Sequence, residues 1–285
     1  MCIVFLSLSD NPQRDKYKVI LAANRDEIFS RPTKELNWWD DDPDIISGID
    51  MFSGKEGGTW LGMTRSGRIG MLTNYRQHQK FKKPNEKGRG FLVSEFLKST
   101  QSPRQFLENV ENHSSEYGGF NIILGDIGNA STSFSYYCNK EQQPLTDLQP
   151  GVYALSNRYL DYCWKKVVIG KQCFSKILQS ESNSPLEKVD KIFNLLSDET
   201  RYEVDEIFRN PEDEDTPDFI LQGLTAIFVK LPQFSYGTRT KSVIIVDNED
   251  NVSFVEKTMI EPIEPNNAEW KTNSFKFKLN HSKSA

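Results

Sequence analysis

The strongest constraint on this chain is a pair of short apolar runs at its start, residues 2–8 and 17–23, separated by Ser9-Asp10-Asn11-Pro12. Runs of this length, rich in β-branched and aromatic residues and bounded by turn chemistry, read as strands. So short a connection joins antiparallel neighbours, because a parallel crossover needs a dozen residues or more. The same grammar recurs. Strands are expected at 59–64 and 68–73, joined across Arg65-Ser66-Gly67, then at 120–124, 133–137 and 152–155. Four more are expected at 224–229, 242–246, 252–256 and 275–279. Helical spacing falls at 91–97, at Phe106, Leu107 and Val110 after the Ser102-Pro103 start signal, at 164–178, and at 186–196 after Ser184-Pro185. Hairpins rather than strand-helix-strand units imply an α+β fold in layers.

Composition excludes several classes. Thirty-five basic and 40 acidic side chains leave a net charge of −5, the wrong sign for wholesale nucleic-acid binding. No run approaches the ~18 apolar residues of a membrane-spanning helix. The four cysteines, Cys2, Cys138, Cys163 and Cys173, show neither zinc-type spacing nor the density of a disulfide scaffold. No metal site is expected. No basic segment precedes residues 2–8 and no cleavage signature follows, so a secretory leader is not expected. One domain over 1–285 is the simplest organisation, with the acidic, proline-interrupted segment 203–218 as an exposed loop or insertion and 280–285 as a tail.

Pairing the first two strands with Leu8 opposite Tyr17 places Cys2 opposite Ala23. Asn24-Arg25-Asp26-Glu27 then follows the strand and lies beside the chain's first residues. Removal of Met1 ahead of a small second residue would give Cys2 a free α-amine. Such an amine titrates near pH 7.7–8.0 and serves as general base for its own residue's thiol. A nearby Arg25 favours the thiolate, and Asp26 is placed to hold the ammonium or orient Arg25. Three further polar strand ends, Thr73-Asn74-Tyr75-Arg76, Ser156-Asn157-Arg158 and Tyr236-Gly237-Thr238-Arg239-Thr240, offer Asn amides for an oxyanion and Arg side chains for a carboxylate or phosphate.

These residues carry a resemblance. Met1-Cys2-Ile3, Ala23-Asn24-Arg25-Asp26-Glu27, Arg31-Pro32, the run from Gly54 to Gly62, Thr73-Asn74-Tyr75, Gly88-Arg89-Gly90 and Tyr236-Gly237-Thr238-Arg239 resemble the NRDE family, which includes the animal transport and Golgi organisation proteins. The resemblance implies an N-terminal-nucleophile-hydrolase-like fold, a four-layer αββα sandwich of two antiparallel sheets. It also implies a ligand-handling role in haem mobilisation and acyl-CoA or lipid homeostasis, with effects on Golgi organisation and secretion. The ligand would lie in a pocket around Cys2 and Asn24-Arg25-Asp26-Glu27. No cofactor is required; haem or acyl-CoA would be cargo. A cytoplasmic, mitochondrial or Golgi-associated setting follows, with peripheral membrane association and no transmembrane segment.

The layout is also similar to cysteine amidases with an N-terminal nucleophile, for which Cys2, Arg25, Asp26, Asn74, Asn157 and Arg239 are the matching catalytic candidates. The alternative function is therefore cleavage of an amide or thioester by Cys2. For ligand binding, the candidates are Asn24, Arg25, Asp26 and Glu27, joined by Arg76, Lys80 and Arg89 from a basic stretch suited to phosphates or a propionate. His78, His113 and His281 are the only histidines and form no paired motif, so haem ligation has little support in the residues. An interaction or scaffold role, docking through 203–218, is the third class.

Overall fold

The computed structural model describes residues 1–285 apart from 12–15, 78–85, 129–130, 182–184, 210–215 and 282–285. The chain opens with six strands: β1 (Ile3–Leu8), β2 (Tyr17–Ile28), β3 (Thr33–Trp38), β4 (Ile45–Asp50), β5 (Leu61–Thr64) and β6 (Arg68–Asn74). Helices α1 (Gly90–Lys98) and α2 (Pro103–Asn112) follow. Next come β7 (Phe120–Ile127), β8 (Thr132–Cys138), β9 (Thr146–Leu148) and β10 (Gly151–Leu155). Helices α3 (Lys165–Gln179), α4 (Pro185–Leu196) and α5 (Asp218–Leu224) precede the closing strands, β11 (Lys230–Leu231), β12 (Tyr236–Asp247), β13 (Asn251–Met259) and β14 (Trp270–Lys278).

Every strand pairing is antiparallel. One sheet runs β10-β1-β2-β12-β13-β14 with β11 beside β12; the other runs β3 to β9 in chain order. Three apolar clusters define the layers. Val4, Leu6, Leu21 and Phe254 meet Ile46, Met63, Ile69 and Ile123 between the two sheets. Ile3, Phe5, Ala22 and Val243 face the helical layer through Trp164, Phe174, Ile192 and Leu196. Ile45, Ile122 and Leu124 face α1 and α2 through Val93, Phe96 and Leu107. Alternate residues of β1 and β2 are thus buried on opposite sides, as strands covered on both faces require. The result is the four-layer αββα sandwich of two antiparallel sheets.

Local chemistry sets the boundaries. Ser102 and Gln105 close a reciprocal capping box at the start of α2, with Pro103 in its first turn. The β5–β6 hairpin turns at Gly67, whose φ of +102° favours a residue without Cβ.

Beyond the unexpected β3, β4, β9 and α5, four departures from expectation bear on the site and its layers. First, Ile3 pairs with Asn24 and Leu8 with Val19, two residues from the register anticipated. A slip of two keeps every side chain on its face, so the layers are unaffected and Cys2 moves from Ala23 to Arg25. Second, β2 does not stop at Ala23. It runs through Ile28 because β12 pairs along its whole length, from Tyr236 against Ile28 to Asp247 against Tyr17.

Third, 224–229 is not a strand. α5 ends at Leu224, and only Lys230–Leu231 pair with β12. The carbonyls that a sheet neighbour would have satisfied are taken by side chains: Lys166 reaches Leu224 and Ala226, and Asn24 reaches Ile227. Fourth, the acidic segment is not exposed throughout. Phe208 is buried against Trp164, ring centroids 4.9 Å apart, and the Trp164 indole donates to the Ile207 carbonyl at 3.1 Å. Residues 210–215 lie outside the described residues.

Candidate functional site

β2 carries Asn24-Arg25-Asp26-Glu27 through the middle of its sheet, so the four side chains divide between its two faces. Asn24 and Asp26 point to the helical layer; Arg25 and Glu27 point the other way, into a cavity of about 230 Å³. Cys2 lines the same cavity, together with Trp60, Leu72 and Asn74 from the second sheet. Its rim includes Arg31, Asp50, Lys55, Glu86, Lys87 and Arg89.

On the cavity face, the Arg25 guanidinium is buried and stacks on Trp60, 4.2 Å from the ring centroid. It lies 3.9 Å from Glu27, while its Nη1 has no hydrogen-bond partner among the described residues. Burial pushes its pKa down. Desolvated donors left free cost energy unless a ligand uses them. α1 also opens onto this cavity through Gly88, Arg89, Gly90 and Phe91. Its N-terminus has no side-chain cap and no acidic residue in the first turn, and its Phe91 and Leu92 amides donate to the Gly88 and Arg89 carbonyls. Gly58 and Gly90 allow this approach: a Cβ on Gly58 would sit 3.2 Å from the Gly90 backbone.

The Cys2 thiol is 3.9 Å from the Asp26 carbonyl, to which it donates, and the Cys2 carbonyl accepts from the Ser156 hydroxyl at 2.7 Å. Burial pushes the thiol pKa up; the N-terminal amine opposes this, Asp26 reinforces it, and Arg25 contributes a smaller opposing effect. The expectation that Arg25 would leave a lowered thiol pKa is therefore corrected, because desolvation outweighs the guanidinium. Asp26 sits behind the strand. Its carboxylate accepts from Thr238 at 2.6 Å and lies 3.4 Å from the Met1 amine, which also donates to the Tyr236 hydroxyl. Burial raises the Asp26 pKa against the pull of the amine and of Lys166.

A family model described as Transport and Golgi organisation 2 matches residues 1–261. The mouse Transport and Golgi organization 2 homolog is 37% identical over 98% of this chain and 99% of its own length. The human homolog is 35% identical over the same shares, and the Drosophila melanogaster Transport and Golgi organization protein 2 is 31% identical over 91% and 92%. The chain belongs to the transport and Golgi organisation 2 family. Two solved structures are similar over most of this family member's length. One is a Caenorhabditis elegans ortholog of N-acylethanolamine-hydrolyzing acid amidase, at 10% identity, TM-score 0.48 and coverage of 86% of this chain and 92% of that one. The other is a variant of conjugated bile acid hydrolase from Clostridium perfringens, at 11% identity, TM-score 0.46 and coverage of 98% of each chain.

In this family member, the other residues singled out from sequence fall in distinct places. Asn74 lines the cavity and is exposed. Asn157 is buried and donates to the Asn74 carbonyl, tying the end of β10 to the end of β6. Asn24 donates to the carbonyls of Leu196 (2.8 Å) and Ile227 (2.9 Å), a structural brace behind the strand. Arg239 sits at a bulge in β12 and is fully enclosed; it donates to the carbonyls of Ile28, Phe29 and Arg31 and to Glu261. It shapes the backbone that carries Arg31 and does not line the cavity. Arg76 donates to the Phe208 carbonyl at 3.0 Å, away from the cavity, whereas Arg89 lines it. Lys80, His78, Lys82 and Lys83 lie outside the described residues.

Of the two described histidines, His113 contacts the Asn109 carbonyl and His281 pairs with Asp250; neither lines the cavity. Among the described residues no group of three His, Cys, Asp or Glu is placed to hold a metal, and no helix is long and apolar enough to cross a membrane. Sequence reasoning missed Trp60, Lys55, Ser156, Tyr236 and Lys166 as members of the site or its support. Lys55, Trp60, Ser156 and Tyr236 sat inside motifs named from sequence, and that adjacency was the available signal. Lys166 had none.

Proposed function

We propose that the cavity receives the thioester end of an acyl-CoA-type ligand, holding the acyl carbonyl near Cys2 and Arg25 and the anionic remainder at the cationic rim. The carrying observation is the buried Arg25 guanidinium, whose Nη1 makes no hydrogen bond among the described residues, in the wall of a cavity that also presents Cys2. Lys55 and Arg89 line the same cavity and suit phosphate oxygens. A volume of about 230 Å³ suits a thioester and the carbons next to it better than a macrocycle. This favours acyl-CoA over haem as the handled ligand. The role that follows is lipid and acyl-CoA homeostasis, with effects on Golgi organisation and secretion, in cytosol, mitochondria or at Golgi membranes.

With Met1 in place, the Cys2 nitrogen is a peptide nitrogen and the thiol is held protonated, which suits holding rather than cleaving. One observation favours a second reading, hydrolysis: Asp26 and Tyr236 already grip an α-amine beside the thiol. A chain beginning at Cys2 would place its own amine near that grip, where it could take the thiol proton during attack on a thioester carbonyl, with CoA thiolate leaving. Calorimetric titration with butyryl-CoA, free CoA and haem, alongside an assay for released CoA, separates these readings. The proposal expects butyryl-CoA binding without CoA release for the chain retaining Met1. Release that requires both Met1 removal and Cys2 would establish the hydrolase, and absence of butyryl-CoA binding would overturn both.

A further inference from the structure

Lys166 is the second residue of α3 and is 1% exposed. A cation is disfavoured there twice: burial strips its hydration, and the positive end of the helix dipole repels it. Its ammonium nevertheless reaches across to the Met1 carbonyl at 3.4 Å and to the carbonyls of Leu224 (3.1 Å) and Ala226 (3.4 Å). Two of these acceptors, the last residue of α5 and Ala226 just beyond it, lie where the sequence suggested a strand. The third is the peptide group joining residue 1 to Cys2.

We propose that Lys166 is a positioning residue of the Cys2 site: from behind β1 it fixes the carbonyl of residue 1 and supplies a buried positive charge that favours ionisation of the Cys2 thiol. The inference rests on the reading that this thiol works in the cavity. The titratable and charged groups around Cys2 and Lys166 are the Met1 amine, Asp26 and Tyr236 behind the strand and Arg25 in front of it, with Arg76 also acting on Lys166. The amine, Arg25 and Lys166 are cationic, so the thiolate has more positive than negative company, and Asp26 is the opposing charge. Burial lowers the Lys166 pKa to about 8, with Asp26 and Cys2 raising it and Arg76 lowering it. Lys166 is therefore charged below that pH and loses its charge above it. Because the thiolate favours the ammonium, the ammonium favours the thiolate by the same amount.

Peptide-resolved alkylation by iodoacetamide tests this in the full chain, followed across about pH 6 to 10 with exposed Cys163 as internal reference. Lys166→Met is expected to slow Cys2 alkylation about tenfold at pH 7 relative to Cys163, where Lys166 carries its charge, with the two rates converging toward pH 10, where it does not. Lys166→Arg keeps the charge at every pH and is expected to match the parent below about pH 8 and to react faster than it above. Lys166→Gln keeps hydrogen donors but no charge and is expected to match Lys166→Met; it carries the test where the Met variant does not fold. A folded Met or Gln variant with the parental profile overturns the proposal, as does a folded Arg variant that behaves like Met. Failure of butyryl-CoA to bind the parent chain, with the profile shifts present, would instead count against the ligand reading alone.

Discussion

The two faces of β2 carry the same four-residue motif to different ends. Asn24 and Asp26 look into the helical layer, where one braces two main-chain carbonyls and the other grips the chain's first amine. Arg25 and Glu27 look into the cavity, and there the guanidinium keeps a donor in reserve. Both faces hold a buried atom without a hydrogen-bond partner among the described residues, Oδ1 of Asn24 and Oδ2 of Asp26 behind the strand and Nη1 of Arg25 in front. The faces differ in what they adjoin: a packed helical layer on one side and a cavity on the other. A motif read as one binding string is, in three dimensions, half structural.

The sharpest way to break that comparison is to remove one member from each face. Asn24→Ala leaves the Leu196 and Ile227 carbonyls buried without a donor, and about 3 kcal/mol of stability is expected to go. Denaturant unfolding measures this, and butyryl-CoA affinity of the folded protein should be unchanged. A second buried carboxylate, Glu256, sharpens the picture of the layer between the sheets. It accepts from the Leu36 amide at a bulge between β3 and β4 and from Ser242, and burial lifts its pKa to about 7.

The folded state thus holds a proton that the unfolded chain, with an ordinary glutamate, releases near pH 4.5. Stability contributed by that proton is present at low pH and falls as pH rises through about 7. Glu256→Gln is expected to remove this loss and to gain about 2 kcal/mol at pH 8, read from thermal unfolding across the pH range.

Arg25→Met is expected to reverse the Asn24 pattern: stability within about 1 kcal/mol of the parent, because a costly buried cation is gone, and butyryl-CoA affinity at least tenfold weaker. Equal effects of Asn24→Ala and Arg25→Met on both quantities would erase the distinction between the faces. Lys55→Ala should have the smallest effect, about threefold in affinity, since its ammonium is partly exposed and already donates to the Glu86 carbonyl at 3.0 Å. The loss should shrink further in high salt.

The layered fold was legible because strand runs, hairpin turns and helix starts are local signals, and the capping box at Ser102 and the turn at Gly67 are written in a few adjacent residues. β3 and β4 were not legible: their strands mix charged and polar residues with apolar ones, and β3 is bulged between Lys34 and Asn37. The segment 224–229 misled because an apolar run says nothing about what satisfies its backbone; Lys166 and Asn24, distant in sequence, do that. At the site, Cys2 and Arg25 could be brought together from hairpin register alone. Arg239 had a strong motif but its distance from the cavity depends on a bulge. Lys166 was invisible because a lysine on an amphipathic helix reads as solvent-facing until its depth is known.

The central claim is that the Cys2 thiol and the Arg25 guanidinium share one cavity that takes an acyl thioester. Peptide-resolved labelling of Cys2 with iodoacetamide in rising concentrations of butyryl-CoA tests it directly. The account predicts saturable protection of Cys2, no protection of Cys163, and loss of the protection in Arg25→Met. Labelling of Cys2 at an unchanged rate while butyryl-CoA is bound would contradict it.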